Sequence, residues 1–330
     1  MQSFKKAEMG ICDNKIKEMR SSDCRIGVIG TAEMPEYLVK NLRLAGLNAV
    51  LIPFKRFSLY KYLPSVDVVI FVFPINKLRL IRRAKLFGKI TIAKWIGSDV
   101  MFGLNEKFDD LRKCLKYIDI HVSDAPLLKN ELSDVGIRSF LIPIVPDDLK
   151  AKPKPLPEEL AFLTYIITGK EDFYRADMIG RVAGRIADAK FYVVENGKVP
   201  DAPSNVCHLG LFPKNEMEGV YEKVIAFLRL TKHDGISMSV LEALSYGRYV
   251  IRSIPFPACI YADTEDEIVS AIEKLRGIRE VNKEGIDFIN NIVSPEHLAS
   301  AWKNLFQKLP EILSCSDIKL SEIEKRIDVM

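Results

Sequence analysis

The stretch Thr231–Ser253, TKHDGISMSVLEALSYGRYVIRS, sets Glu242 inside an otherwise apolar run, Val240-Leu241-Glu242-Ala243-Leu244, eight residues after Asp234. The preceding KVIAFLRL (223–230) reads as a buried strand, TKHDGIS as a turn, and SMSVLEALSYG as a helix closed near Gly247. The turn then lies at the carboxyl edge of a sheet. A helix start carries unpaired N–H groups and a partial positive charge, so an anion such as phosphate can rest over Gly235 to Ser239, with Gly235, Ile236 and Ser237 the candidates. Gly235 lets a ligand come close to the backbone. Asp234 in the loop and Glu242 in the helix can both face that ligand, and their acceptor-only oxygens suit a vicinal diol such as ribose or a sugar. The competing reading turns Glu242 to solvent or pairs it with Arg248 or Arg252.

Outward from this stretch, short apolar runs alternate with helical patterns. CRIGVIG (24–30), NAVLIPF (48–54), VDVVIFVF (66–73), KITIAKWIG (89–97), IDIHVS (118–123) and RSFLIPIV (138–145) precede LAFLTYIITG (160–169), AKFYVVENG (189–197), NVCHLG (205–210), KVIAFLRL and RYVIRS (248–253). Continuous apolar strands separated by helices predict parallel sheets covered on both faces. The proline-rich PDDLKAKPKPLPEEL (146–160) interrupts the alternation and reads as a semi-rigid linker. The expected fold class is α/β, with two Rossmann-like doubly wound parallel-sheet domains. The expected divisions are a 1–22 extension, a first domain at 23–148, a second at 149–310, and a 311–330 helical tail that packs back on the first. Ser294 and Pro295 read as the N-cap and first position of a late helix.

The chain has 330 residues, more than one core ordinarily supports. A net charge of +4, from 48 Lys and Arg against 44 Asp and Glu, gives no case for nucleic acid. Six scattered cysteines without a CxxC pair read as reduced thiols in the cytoplasm, and no apolar run is long enough to span a bilayer. Contact with a membrane surface stays open. Neither a metal-ligand cluster nor a P-loop, GxSxG or HExxH motif occurs, so no catalytic metal or cofactor is expected.

DGISMSVLEALSYGRYVI resembles the EGFG-x4-EA-x-A-x-G-x-PVI signature of retaining glycosyltransferases of family 4, which have the GT-B fold of two Rossmann-like domains facing across a cleft. The acid-x7-acid spacing is kept as Asp234 and Glu242, followed by Ala243, Gly247 and Val250-Ile251. Asp replaces the first Glu, Ser237 the second Gly, and Tyr249 the Pro. The resemblance implies that Glu242 holds the ribose hydroxyls of a nucleotide and Asp234 the donor sugar. It also implies a basic pair on the diphosphate, matched by Lys170 and Arg175 in ITGKEDFYRAD with the order of types reversed. His233 and Gly210 complete the candidate donor set.

In the first half, where the resemblance is mainly architectural, the acceptor or cleft candidates are Gly97, Ser98 and Asp99 in what reads as a loop after KITIAKW, and Gly30 and Thr31 after the first strand. His121 reads either as a cleft residue or as a satisfied core histidine. The expected activity is a metal-independent retaining hexosyl transfer from a UDP- or GDP-type sugar to an unidentified glycan, lipid-linked or small-molecule acceptor. A nucleotide-sugar epimerase and a non-catalytic nucleotide-binding protein are the alternatives.

Overall fold

In the computed structural model, which describes residues 24–31, 33–55, 58–314 and 327–329, the most apolar runs become the centres of sheets. β3 (Val68–Val72) and β4 (Ile90–Trp95) are buried at every residue, as strands covered on both faces must be. With β1 (Arg25–Ile29), β2 (Asn48–Ile52), β5 (Ile120–Ser123) and β6 (Phe140–Leu141) they form a parallel sheet in the order β2-β1-β3-β4-β5-β6. Its helices are α1 (Met34–Leu44), α2 (Ser58–Tyr62), α3 (Leu78–Leu86), α4 (Ser98–Leu104), α5 (Phe108–Cys114) and α6 (Pro126–Asp134).

The second sheet is also parallel and six-stranded. β7 (Ala161–Tyr165), β8 (Lys190–Val194), β9 (Val206–Gly210), β10 (Ala226–Arg229), β11 (Tyr249–Arg252) and β12 (Ile260–Tyr261) lie in the order β12-β11-β10-β7-β8-β9. That is the Rossmann winding, whose direction reverses between β7 and β10; in the first sheet it reverses between β1 and β3. Around it run α7 (Ala176–Arg185), α8 (Met217–Tyr221), α9 (Met238–Ser245), α10 (Glu265–Leu275) and α11 (Lys283–Asp287). The two-residue β12 had no counterpart among the expected strands.

The chain divides into two compact units, one of residues 1–148 with 293–330 and one of residues 149–292. Residues 293–310, expected in the second domain, therefore group with the first. The cause is α12 (Pro295–Gln307), which buries Leu298, Trp302 and Leu305 and packs on α1; α13 (Leu309–Ser314) follows it. Ser294 caps α12 through the His297 amide. Near the C-terminus, the Leu141 amide donates to Asp328 at 2.7 Å and the Val329 amide donates to the Leu141 carbonyl at 3.1 Å. The 1–22 extension and residues 315–326 of the expected tail lie outside the described residues.

The proline-rich segment forms no regular element but is tied to the second unit. Lys152 and Lys154 donate their amides to Ser245 and Tyr246 carbonyls, and the buried Arg248 guanidinium donates to carbonyls of Lys154, Pro155, Val224 and Tyr246. Gly247 ends α9 with φ +73, the Arg248 amide reaching back to Ala243 and its own amide to Leu244. A Cβ at Gly247 would stand 2.9 Å from that of Val281, so the turn needs glycine for space as well as for conformation.

Candidate functional site

The carboxyl ends of β7 and β10 flank the winding reversal of the second sheet, and their loops carry the candidate donor residues. β10 ends at Arg229, residues 230–237 turn, and α9 begins after Ser237, whose extended backbone (φ −87, ψ 130) makes it the N-cap. Its hydroxyl bonds that of Ser239 at 2.8 Å rather than a helix amide. Gly235, Ile236, Ser237 and His233 are all buried in this turn.

Asp234 is held by two arginines. Arg229 donates to its carboxylate at 2.8 and 3.3 Å, Arg252 donates at 3.3 Å, and Arg252 also reaches the Gly235 carbonyl at 3.1 Å. Burial works against the Arg229 charge, but Asp234 and Tyr174 outweigh it and push its pKa up. Arg252 is 1% exposed and lies 4.7 Å from the Phe256 ring centre; burial lowers its pKa against the pull of Asp234. Its Nε and Nη1 have no hydrogen-bond partner among the described residues. The Asp234 carboxylate is thus an acceptor bridged by two guanidinium groups.

Glu242 is half-buried on α9, while Arg248 donates to backbone carbonyls and Arg252 to Asp234 and the Gly235 carbonyl. Tyr221 of α8 donates to it at 3.1 Å and to the Ser239 carbonyl at 3.2 Å, and Tyr165, at the end of β7, meets Tyr221 at 3.3 Å between hydroxyls. Burial pushes the pKa of both tyrosines up, so each stays a neutral hydroxyl. A line Tyr165–Tyr221–Glu242 thus joins the ends of two adjacent loops, which explains how an apolar helix tolerates a carboxylate.

Lys170 is exposed in the loop after β7. Arg175 ends that loop with φ +51 as N-cap of α7, its guanidinium bound to the Asp263 carboxylate and carbonyl. Gly210 ends β9 with φ +71, its carbonyl accepting from the Glu195 amide at 2.8 Å.

In the first unit, the expected loop after β4 is instead the start of α4. Gly97 takes φ +153, Ser98 is the first helical residue, and Asp99 is fully buried. Its carboxylate turns back on the amides of Ile96, Gly97 and Val100, the closest at 2.8 Å. Burial still raises its pKa to about 7. Beside it Lys94 pairs with Asp124 at 2.5 Å and donates to the Ile142 carbonyl, all without exposure. Burial also lowers Lys77 to about 8; its ammonium donates to the Phe73 carbonyl. His121 accepts from the Trp95 indole at 3.1 Å and stacks on it, with its pKa lowered by burial to about 4. Gly30 is where α1 meets β3: a Cβ there would come within 2.5 Å of Pro35. Thr31 is exposed.

Sequence patterns did not point to Tyr221 or Arg229, nor to the buried Lys77, Lys94 and Asp124. The one signal was a charge at the end of an otherwise apolar strand, as at Arg229 and Lys94. Among the described residues no group of three His, Cys, Asp or Glu side chains clusters as a metal site requires, and no helix is long and apolar enough to cross a membrane.

No known family model and no curated protein sequence matches the chain. Its structure is similar to a sucrose-phosphate synthase from Thermosynechococcus elongatus, at 12% identity and TM-score 0.68 over 87% of this chain and 99% of that one. It is also similar to the trehalose-6-phosphate synthase OtsA, at 9% identity and TM-score 0.61 over 88% and 99%. A third likeness is to the lipopolysaccharide outer core galactosyltransferase WaaB, at 14% identity and TM-score 0.56 over 83% and 97%. Two parallel six-stranded sheets of Rossmann type, matched over nearly the whole length of these glycosyltransferases, give the chain the GT-B fold.

Proposed function

We propose that the chain is a retaining glycosyltransferase that moves a hexose from a UDP- or GDP-type sugar to an acceptor, without a metal ion. The observation that carries this reading is Glu242, fixed by Tyr221 beside the β10 turn at the winding reversal of the second sheet. Its carboxylate accepts hydrogen bonds from the ribose diol, and the turn from Gly235 to Ser237 lies over the diphosphate. Lys170 and Arg175 neutralise the leaving diphosphate, which for Arg175 means exchanging Asp263 for phosphate oxygens. Asp234, positioned by Arg229 and Arg252, meets the sugar ring. The acceptor, a glycan, lipid-linked or small molecule, attacks from the face the diphosphate leaves. The solved glycosyltransferases of the same fold support the reading.

The test is donor affinity measured calorimetrically for UDP and GDP with the wild type and Glu242→Gln. A charged acceptor is worth about 1.5–3 kcal/mol, so the variant should bind at least about tenfold more weakly. Equal affinity removes the assignment. Product analysis with the donor alone separates the epimerase, which returns an altered sugar, from the transferase; absence of turnover with any donor and acceptor leaves the non-catalytic binder.

A further inference from the structure

The whole-chain charge balance hides a local excess. From Val68 to Ser98 the chain carries seven Lys and Arg residues and no Asp or Glu. Helix α3 gathers most of them. It buries Leu78, Ile81 and Ala84 against the sheet and turns Arg79, Arg82, Arg83 and Leu86 outward. Between α3 and α5 lies a groove of about 740 Å3 lined by Lys77, Arg79, Arg82, Lys107, Lys113 and Lys116 against a single acid, Asp110. Among the described residues Asp110 pairs with Lys113, at 3.9 Å. At the end of α3, Leu86 and Phe87 are 69% and 59% exposed, and Tyr60 packs its ring edge on Phe87 with Arg83 above it.

We propose that this face of the first unit docks on an anionic phospholipid bilayer, with the cations against the headgroups and Leu86 and Phe87 entering the acyl boundary. Although the apolar face of α3 is spent on its own sheet, its outward side supplies both signals that hold a protein on such a surface: a stripe of cations and two large apolar side chains at one end. A pocket for one soluble phosphate needs donors that converge; here Arg79, Arg82, Lys113 and Lys116 are exposed and spread over α3, α5 and the turn after it, and the buried Lys77 turns back to the Phe73 carbonyl. A nucleic-acid groove needs a free aromatic face, whereas the Tyr117 ring has Arg82 at 5.6 Å and Lys116 at 5.3 Å. The inference does not depend on the glycosyl-transfer reading.

Co-sedimentation of the full chain with phosphatidylcholine vesicles, with and without phosphatidylglycerol, tests it. Binding is expected only with phosphatidylglycerol and should fall as salt rises. Each basic residue near such a surface contributes roughly fivefold, so Arg79→Gln/Arg82→Gln should weaken binding roughly 25-fold, and Lys113→Gln/Lys116→Gln, across the groove, comparably. Leu86→Ser/Phe87→Ser should reduce it with every charge retained. Equal sedimentation with both vesicles, binding unmoved by either charge pair, or competition by millimolar inorganic phosphate at constant ionic strength would each overturn the proposal, the last in favour of a soluble-anion site. Tighter binding of a short RNA duplex than of vesicles would overturn it as well.

Discussion

The carboxyl edges of the two sheets hold comparable numbers of charges on the same kind of scaffold, yet arrange them differently. At the first, Lys94, Asp99 and Asp124 have no exposure and Lys77 only 1%; all but Asp124 Oδ2 are met by one another or by backbone groups inside the protein. At the second, Arg229 and Asp234 keep 12% and 13% of their side chains exposed, Glu242 is half-buried and Lys170 is open. The first set therefore acts on stability, whereas the second keeps surface that solvent or a ligand can reach. Breaking a pair should cost most where solvent cannot replace the lost partner.

Lys94→Met gives the largest effect. It strands the Asp124 carboxylate, whose Oδ2 already lacks a hydrogen bond among the described residues, and should cost about 3–5 kcal/mol in urea denaturation. Lys94→Met/Asp124→Leu should recover most of that, since an apolar pair of similar volume stands in well for a buried ion pair. A single-variant loss below about 1 kcal/mol would end the distinction between the two edges.

Asp99 adds a pH dependence to the first edge. Its folded pKa of about 7 lies above the unfolded value of about 3.8, so the folded state holds its proton more tightly. The contribution is complete below about pH 4 and is lost as pH rises towards 7, by up to about 1.4 kcal/mol per pH unit. Lys94, Asp124 and Lys77 face the same interior and titrate in both proteins, so the comparison with Asp99→Asn isolates this group. The variant should show a flatter melting temperature between pH 4 and 7. Parallel wild-type and variant curves would show that Asp99 is ionised throughout.

Asp234→Asn tests the second edge. It leaves the 1%-exposed Arg252 without its carboxylate but lets water reach Arg229, so the expected loss is about 1–3 kcal/mol, below that of Lys94→Met. Equal losses would mean that exposure does not separate the two edges.

What was legible in the sequence follows the same division. Strands buried on both faces must be continuously apolar, so eleven of the twelve were readable; β12, two residues paired only with β11, has too little length to carry a pattern. The start of α4 at Ser98 was read as a loop because Gly-Ser-Asp is turn chemistry, and only the burial of Asp99 turns its carboxylate onto the amides that begin the helix. Residues 293–310 were misassigned since the face α12 buries is visible in the sequence but its partner α1, more than 250 residues earlier, is not. At the second edge Asp234 and Glu242 were singled out through spacing and Arg252 as a partner for Glu242 rather than for Asp234, whereas Arg229 and Tyr221 come to them from other elements with no local pattern. The charge of α3 was hidden because intervening leucines and a near-neutral total dilute it.

Tyr221→Phe should give the smallest effect and separates position from chemistry at Glu242. The ring stays stacked on Tyr246, 5.2 Å between centres, so the apolar packing of α8 is kept while the hydroxyl that touches Glu242, Tyr165 and the Ser239 carbonyl is lost. A hydrogen bond from a buried hydroxyl to a half-buried carboxylate is worth about 1–2 kcal/mol. Part of it appears in stability, and the rest as a roughly threefold weaker nucleoside diphosphate affinity, because Glu242 regains rotamers that face away from the diol. If instead stability drops and affinity is untouched, Glu242 is a structural acceptor for Tyr221, as Asp99 is for its amides, and the second edge is as closed to ligands as the first.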